Sequence, residues 1–206
     1  MPGKPSILLF GGTFDPIHHG HLIVSLAVAE QLKVDRVELI PAGVPPHKPD
    51  SPVTSAEHRL RMTQLAVNGD LLFDVSDCEV KRPGPSYTLD TVRRYRKTYG
   101  PDAALYWLIG ADSLPELPTW HKPSEIAAEC ILVTAAREGT DPGDLAYLAD
   151  TFTPEQIDSI RRHILPTPRV DMSSTEIRRR VAAGRPIRYF VPRPVQKYIE
   201  ENNLYR

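Results

Sequence analysis

The sequence predicts an α/β fold, a doubly wound, mostly parallel sheet with helices on both faces. Three observations carry this. Short apolar runs alternate with helical patterns along the chain, as crossover connections between parallel strands require. A glycine turn joins the first of these runs directly to a helix start. The 21 prolines gather between the periodic segments, at 41–52, 83–85 and 115–123.

The elements follow in order. An apolar strand at Ile7–Phe10 meets Gly11-Gly12, and a helix with Leu22, Leu26, Ala27 and Ala29 runs over His19–Leu32. A strand at Arg36–Ile40 precedes a helix at Ala56–Val67. A strand at Leu72–Val75 precedes a helix at Leu89–Tyr99, with Ser86 or Thr88 as its N-cap. Strands at Ala104–Ile109 and Ile131–Thr134 flank a helix at Pro123–Glu129. Residues 138–163 are polar and irregular and read as an insertion, although Pro154–Ile164 has a helical period. A weak strand near Arg169-Val170 and helices at Thr175–Ala183 and Pro194–Asn202 complete a C-terminal helical part at 166–206. In such sheets the ligand sits beyond the carboxyl ends of the strands, so the loops after Phe10, Ile40 and Ile109 should surround one crevice.

At 206 residues the whole chain, 1–206, fits one domain with a sizeable core. A net charge of −1 gives no field to draw in nucleic acid or an anionic membrane. The five-residue apolar stretch before Gly11 is too short for a secretion signal or a membrane span. Cys78 and Cys130 match no zinc or redox spacing and read as free thiols of a cytoplasmic protein.

The chemistry concentrates in Phe10 to His21, FGGTFDPIHHGH. A strand running through a glycine turn into a helix start presents backbone N–H groups at the positive helix end, an anion site. His18 and His21, three residues apart, can face the same way across that solvent-facing start as neutral or transiently charged phosphate donors. No Lys-Ser/Thr pair follows a glycine as in a Walker loop, and no third glycine with an acidic ribose reader is present. Asp15, His18, His19 and His21 are also conceivable metal ligands, but no carboxylate or thiol nearby completes a closed set. Four further clusters fall on loops or helix starts: Pro45-Pro46-His47-Lys48-Pro49, Pro85-Ser86-Tyr87-Thr88, Gly110-Ala111-Asp112-Ser113 with Trp120 after it, and Ser173-Ser174-Thr175-Glu176-Ile177-Arg178. Singly, each is an ordinary loop or capped helix.

Together, these residues resemble the bacterial nicotinate mononucleotide adenylyltransferases of the nucleotidylyltransferase superfamily, from about Ser6 to Thr134 and again from Pro168 to Tyr205. The His-x-Gly-His and Ser-Ser-Thr-x-Ile-Arg stretches alone are shared with phosphopantetheine and glycerol-phosphate nucleotidylyltransferases. The other three clusters narrow the match. One departure stands out: Arg137-Glu138-Gly139 occupies the place of the family's Arg-Pro-Gly. The resemblance implies a Rossmann-like fold and adenylyl transfer from ATP to nicotinate mononucleotide, with His18, His21 and Arg178 catalytic. It implies ATP contacts at Gly11, Gly12, Thr13, Phe14, His18, His21, Gly110, Asp112, Ser173, Ser174, Thr175, Ile177 and Arg178. It implies mononucleotide contacts at Thr13, Lys48, Tyr87, Thr88, Trp120 and Arg137. Mg²⁺ would be held mainly by ATP phosphates, with no protein ligand set. ATP and the mononucleotide are then the partners, without nucleic acid or membrane, and homo-oligomer formation stays open. Rival readings are another acceptor (nicotinamide mononucleotide or phosphopantetheine), a nucleotide-sensing protein of this fold that has lost its chemistry, and a class I tRNA synthetase fragment. The near-neutral charge and the lack of an anticodon-binding extension weigh against the last.

Overall fold

The computed structural model describes residues 4–45, 53–137 and 144–206. Among these residues six parallel strands form one sheet: β1 (Ser6–Gly12), β2 (Arg36–Pro41), β3 (Phe73–Val75), β4 (Ala104–Gly110), β5 (Ile131–Arg137) and β6 (Ile164–Thr167), in the order β3-β2-β1-β4-β5-β6. Leu8, Leu9, Leu39, Ile40, Leu105, Leu108, Leu132 and Val133 are buried, so the strands read as unbroken apolar runs. Each fully buried aliphatic side chain contributes roughly 1.5–3 kcal/mol. Strand order reverses beside β1, where open α/β sheets bind their ligands beyond the strand ends, and β1 ends at Gly11-Gly12.

Among the described residues there are seven helices: α1 (His19–Leu32), α2 (Ala56–Ala66), α3 (Thr88–Tyr99), α4 (Pro123–Glu129) and α5 (Pro154–Arg162) alternate with the strands, and α6 (Ser174–Ala182) and α7 (Arg193–Glu201) follow β6. Three details differ from the sequence expectation. The last strand lies at Ile164–Thr167, not at Arg169-Val170. It is the outermost strand, where Pro166 can lack an N–H without breaking an inner ladder. Within the stretch expected as an insertion, residues 144–163 carry a 3₁₀ turn and α5, which leads straight into β6. A capping box starts α5: the Thr153 hydroxyl accepts from the Gln156 N–H, and the Gln156 side chain accepts from the Thr153 N–H. Finally, neither Ser86 nor Thr88 caps α3. Its N-cap is Tyr87, which makes no side-chain cap bond, and the Ser86 hydroxyl instead accepts from the Gly43 N–H at 2.9 Å.

Contacts divide the chain into two compact units. The first comprises Met1–Gly11, Ser25–Glu38 and Tyr87–Arg169. Here Arg96 donates to the carbonyls of Gly100, Pro101 and Ala103 beyond α3 and of Glu129 at the end of α4, joining the two helices. The second unit comprises Gly12–Val24, Leu39–Ser86 and Val170–Arg206. Its α2 packs on α7, with His58 Nδ1 and the Tyr198 hydroxyl 2.8 Å apart. Among the described residues no helix is long and apolar enough to cross a membrane.

Candidate active site

The segment from Gly12 to His21, with the start of α6, lies entirely in the second unit. The glycine pair at the end of β1 is required by close packing. A Cβ at Gly11 would stand 2.6 Å from the buried Trp107 ring, and one at Gly12 would stand 2.8 Å from the Phe14 ring. Phe14 takes the left-handed conformation, uncommon for a bulky residue, and its buried ring meets His21 edge-on at 5.1 Å. Asp15-Pro16 is a cis peptide.

His18 and His21 do converge, as their spacing predicted. Their rings stack with centroids 3.7 Å apart and 20° between planes. The backbone N–H of His18 donates to His21 Nδ1 at 3.2 Å. That acceptor role places the ring proton of neutral His21 on Nε2, so the ring is a donor there. The expectation that both imidazoles face solvent needs correction, because His18 is only 5% exposed. Its ring folds against Gly20, where a Cβ would come within 3.0 Å of Cε1 and Nδ1, and this close approach favours the glycine of His-x-Gly-His. Burial and the neighbouring His19 lower the His18 pKa to about 4. Burial and then His18 hold His21 well below the usual imidazole value. Both rings are therefore neutral near pH 7. His18 Nδ1 is buried with no hydrogen-bond partner among the described residues.

Asp15 organises what surrounds this pair. Its carboxylate, 4% exposed, accepts from the Tyr205 hydroxyl at 2.6 Å and from the Thr54 N–H at 3.2 Å. Its main-chain carbonyl accepts from Arg178 Nη1 at 2.8 Å, and the Pro16 carbonyl accepts from the Ser174 hydroxyl at 2.9 Å. Ser173 caps α6 by accepting from the Glu176 N–H, buried Ile177 anchors the helix, and Arg178 Nη2 donates to Thr175 Oγ1. Ser174, the first residue of α6, and the Arg178 guanidinium thus meet the turn that carries the histidines. Beneath it Arg59, 1% exposed, donates to the carbonyls of Thr13, Gly43 and Thr54. Both Asp15 oxygens already accept hydrogen bonds, and among the described residues no group of three or more His, Cys, Asp or Glu side chains could hold a metal ion.

The remaining expected residues, apart from Lys48, lie in the first unit. Gly110 ends β4 and Asp112 sits in the following 3₁₀ turn, both exposed. Thr88 opens α3. Trp120, half-buried, closes the turn Leu117–Thr119, while Trp107 takes the core position. Arg137 is the last residue of β5. Lys48 lies outside the described residues. The structure adds three residues that sequence reasoning missed. His121 stacks on Tyr87 at 4.4 Å. Arg59 was signalled only by being a charge on the buried Arg59-Met62-Thr63 face of α2. Tyr205 gave no local signal.

Comparison with known proteins places these features in context. The cytidylyltransferase-like family model matches residues 9–180. A relative from Thermomicrobium roseum, described as a probable nicotinate-nucleotide adenylyltransferase, is 47% identical over 96% of this chain and 90% of its own. One from Moorella thermoacetica, with the same description, is 41% identical over 100% of this chain and 93% of its own. Among solved structures, the Plasmodium falciparum nicotinic acid mononucleotide adenylyltransferase complexed with NaAD superposes with a TM-score of 0.72 over 98% of this chain and 97% of that one. At 17% identity this last likeness speaks for the fold alone.

Proposed function

The chain belongs to the cytidylyltransferase-like family and to its nicotinate-nucleotide adenylyltransferases, and from that premise we propose that it transfers the adenylyl group of ATP to nicotinate mononucleotide, yielding deamido-NAD and pyrophosphate. The observation that carries the mechanism is the stacked, neutral His18–His21 pair on the turn whose carbonyls hold Arg178 and Ser174. The nucleophile is the mononucleotide's own phosphate. A phosphate monoester has a second pKa near about 6, so it is largely dianionic at neutral pH and needs no general base. Catalysis then consists of aligning two anions and absorbing charge on the leaving pyrophosphate.

His21 suits this role as a neutral Nε2–H donor: it gives a hydrogen bond to a phosphate oxygen without taking a proton from the acceptor. Arg178 supplies fixed charge. Its Nη1 is tied to the Asp15 carbonyl, so it is aimed before ATP arrives. The ATP phosphates would carry the magnesium ion, which suits a turn whose carboxylate is already committed to Tyr205 and Thr54. For the acceptor, the start of α3 offers N–H groups with no side-chain cap, matched to a pyridine carboxylate, and Trp120 offers an aromatic face. Lys48 and Arg137 are proposed on the acceptor side, Gly110 and Asp112 on the ATP side.

A pyrophosphate-release assay with MgATP and a panel of acceptors tests this. Turnover is expected with nicotinate mononucleotide. Turnover with phosphopantetheine in its place would overturn the reading.

A further inference from the structure

The chain's penultimate residue reaches into the turn that carries the histidines. After α7, Asn203 and Tyr205 both adopt left-handed backbone, with φ of 52° and 63°. Asn tolerates that region, whereas a tyrosine there is strained. Such strain persists only where surrounding contacts hold it. Here the hook turns the Tyr205 ring inward, and its hydroxyl donates to Asp15 Oδ1 at 2.6 Å, with Met62 Sδ 3.9 Å away. Burial and the Asp15 charge push the phenol pKa well up, so the hydroxyl stays protonated and donates throughout the ordinary pH range. The Asp15 carbonyl in turn accepts from Arg178. One residue therefore links the C-terminal hook, through its side chain, to the α6 guanidinium, through its main chain.

We propose that Tyr205 is a positioning residue for ATP: by fixing Asp15 it fixes the carbonyl that aims Arg178. The proposal rests on the adenylyltransferase reading for the identity of ATP as the ligand of Arg178. The hydroxyl touches no reacting atom, and it acts only through Asp15.

Tyr205→Phe keeps the ring and removes the hydroxyl. The dissociation constant for MgATP, titrated without acceptor, and the KM for ATP are each expected to rise about ten-fold, near what one lost charge-assisted hydrogen bond yields. The KM for nicotinate mononucleotide should stay within about two-fold, because the Asp15–Arg178 link serves the ATP side. In an Arg178→Ala background the same change should add little to the ATP effect, since the path through Arg178 is already cut. Unchanged ATP binding overturns the proposal, whatever happens to thermal stability. So do equal losses for both substrates, or full additivity with Arg178→Ala. The wild-type acceptor assay separates this from the parent reading: a wild type that binds MgATP but does not use nicotinate mononucleotide refutes the acceptor assignment and leaves the Tyr205 titration decisive.

Discussion

At His18, burial does two things at once, and each is measurable. It keeps the imidazole neutral near pH 7, and it ties stability to pH. The folded-state pKa, about 4, lies below the ordinary imidazole value of 6.5. Above about pH 6.5 neither state binds the proton, and the group contributes nothing. As pH falls from about 6.5 toward 4 the unfolded chain takes up a proton that the folded chain refuses, so stability is lost across that window and levels off below it. Between pH 7 and 4.5 the wild type should therefore lose up to about 3 kcal/mol more than His18→Gln, read as the difference between two denaturant series. Parallel series would remove His18 from that account. His21 makes a catalytic prediction instead. His21→Ala should lower kcat on the order of 10²–10³, the loss typical of one transition-state donor, and near wild-type kcat would exclude the ring from the mechanism. The spacing of the two histidines was visible in the sequence. Their stacking and the burial of His18 were not, because both are matters of ring packing, against Phe14 and Gly20, that spacing alone does not encode.

At the scale of elements, α1, α3 and α4 begin and end within a residue of where periodicity and caps put them, since their apolar faces are written locally. The strand β6 escaped because a proline inside a short run, here Pro166, argues against a strand. Only its outer place in the sheet makes a proline acceptable there. The start of α3 carries the prediction that belongs to this scale. No side chain caps it, so under the proposed function its backbone N–H groups would meet the nicotinate carboxylate as charge-assisted donors. A nicotinamide amide offers one carbonyl and turns its own NH₂ donor against donor. Hydrogen bonds to charged groups contribute roughly 1.5–3 kcal/mol against roughly 0.5–1.5 for neutral ones. Preference for the acid in kcat/KM should thus reach at least about 10²-fold. Trp120→Ala should weaken both acceptors alike, because stacking does not read the substituent. Equal use of the two mononucleotides would sink the helix-end account, and a Trp120 variant that alters only selectivity would sink the stacking one.

On the scale of the whole molecule, the contacts that finish the histidine-bearing turn join residues remote in sequence. Ser174 reaches Pro16 across 158 positions, Arg178 reaches Asp15 across 163, and Tyr205 reaches Asp15 across 190. The Ser-Ser-Thr-x-Ile-Arg stretch could still be read, since it carries its own cap and spacing. Tyr205 could not, because nothing near it in sequence requires a partner. Charge shows the same contrast between local and global. The net charge of −1 hides an uneven spread: residues 173–206 hold eight Lys and Arg against three Glu. This stretch contains Arg178 and follows the same turn through Ser174 and Tyr205. A positive field there should raise the rate at which anionic MgATP is captured, and salt should screen it, with a Debye length near about 10 Å at 0.1 M and about 3 Å at 1 M. From 0.05 to 0.5 M KCl the KM for ATP is expected to rise about three- to ten-fold, with kcat changing less than about two-fold. Chloride competing at the phosphate site would mimic that rise, so the deciding measurement is the slope in a charge-reversed variant. Arg185 and Arg188 are exposed, and Arg188 lies over the exposed Tyr189 ring. Reversing both to Glu should flatten the dependence of KM on salt and leave kcat intact. A slope equal to that of the wild type would assign the salt effect to ion competition rather than to the field of the C-terminal helices.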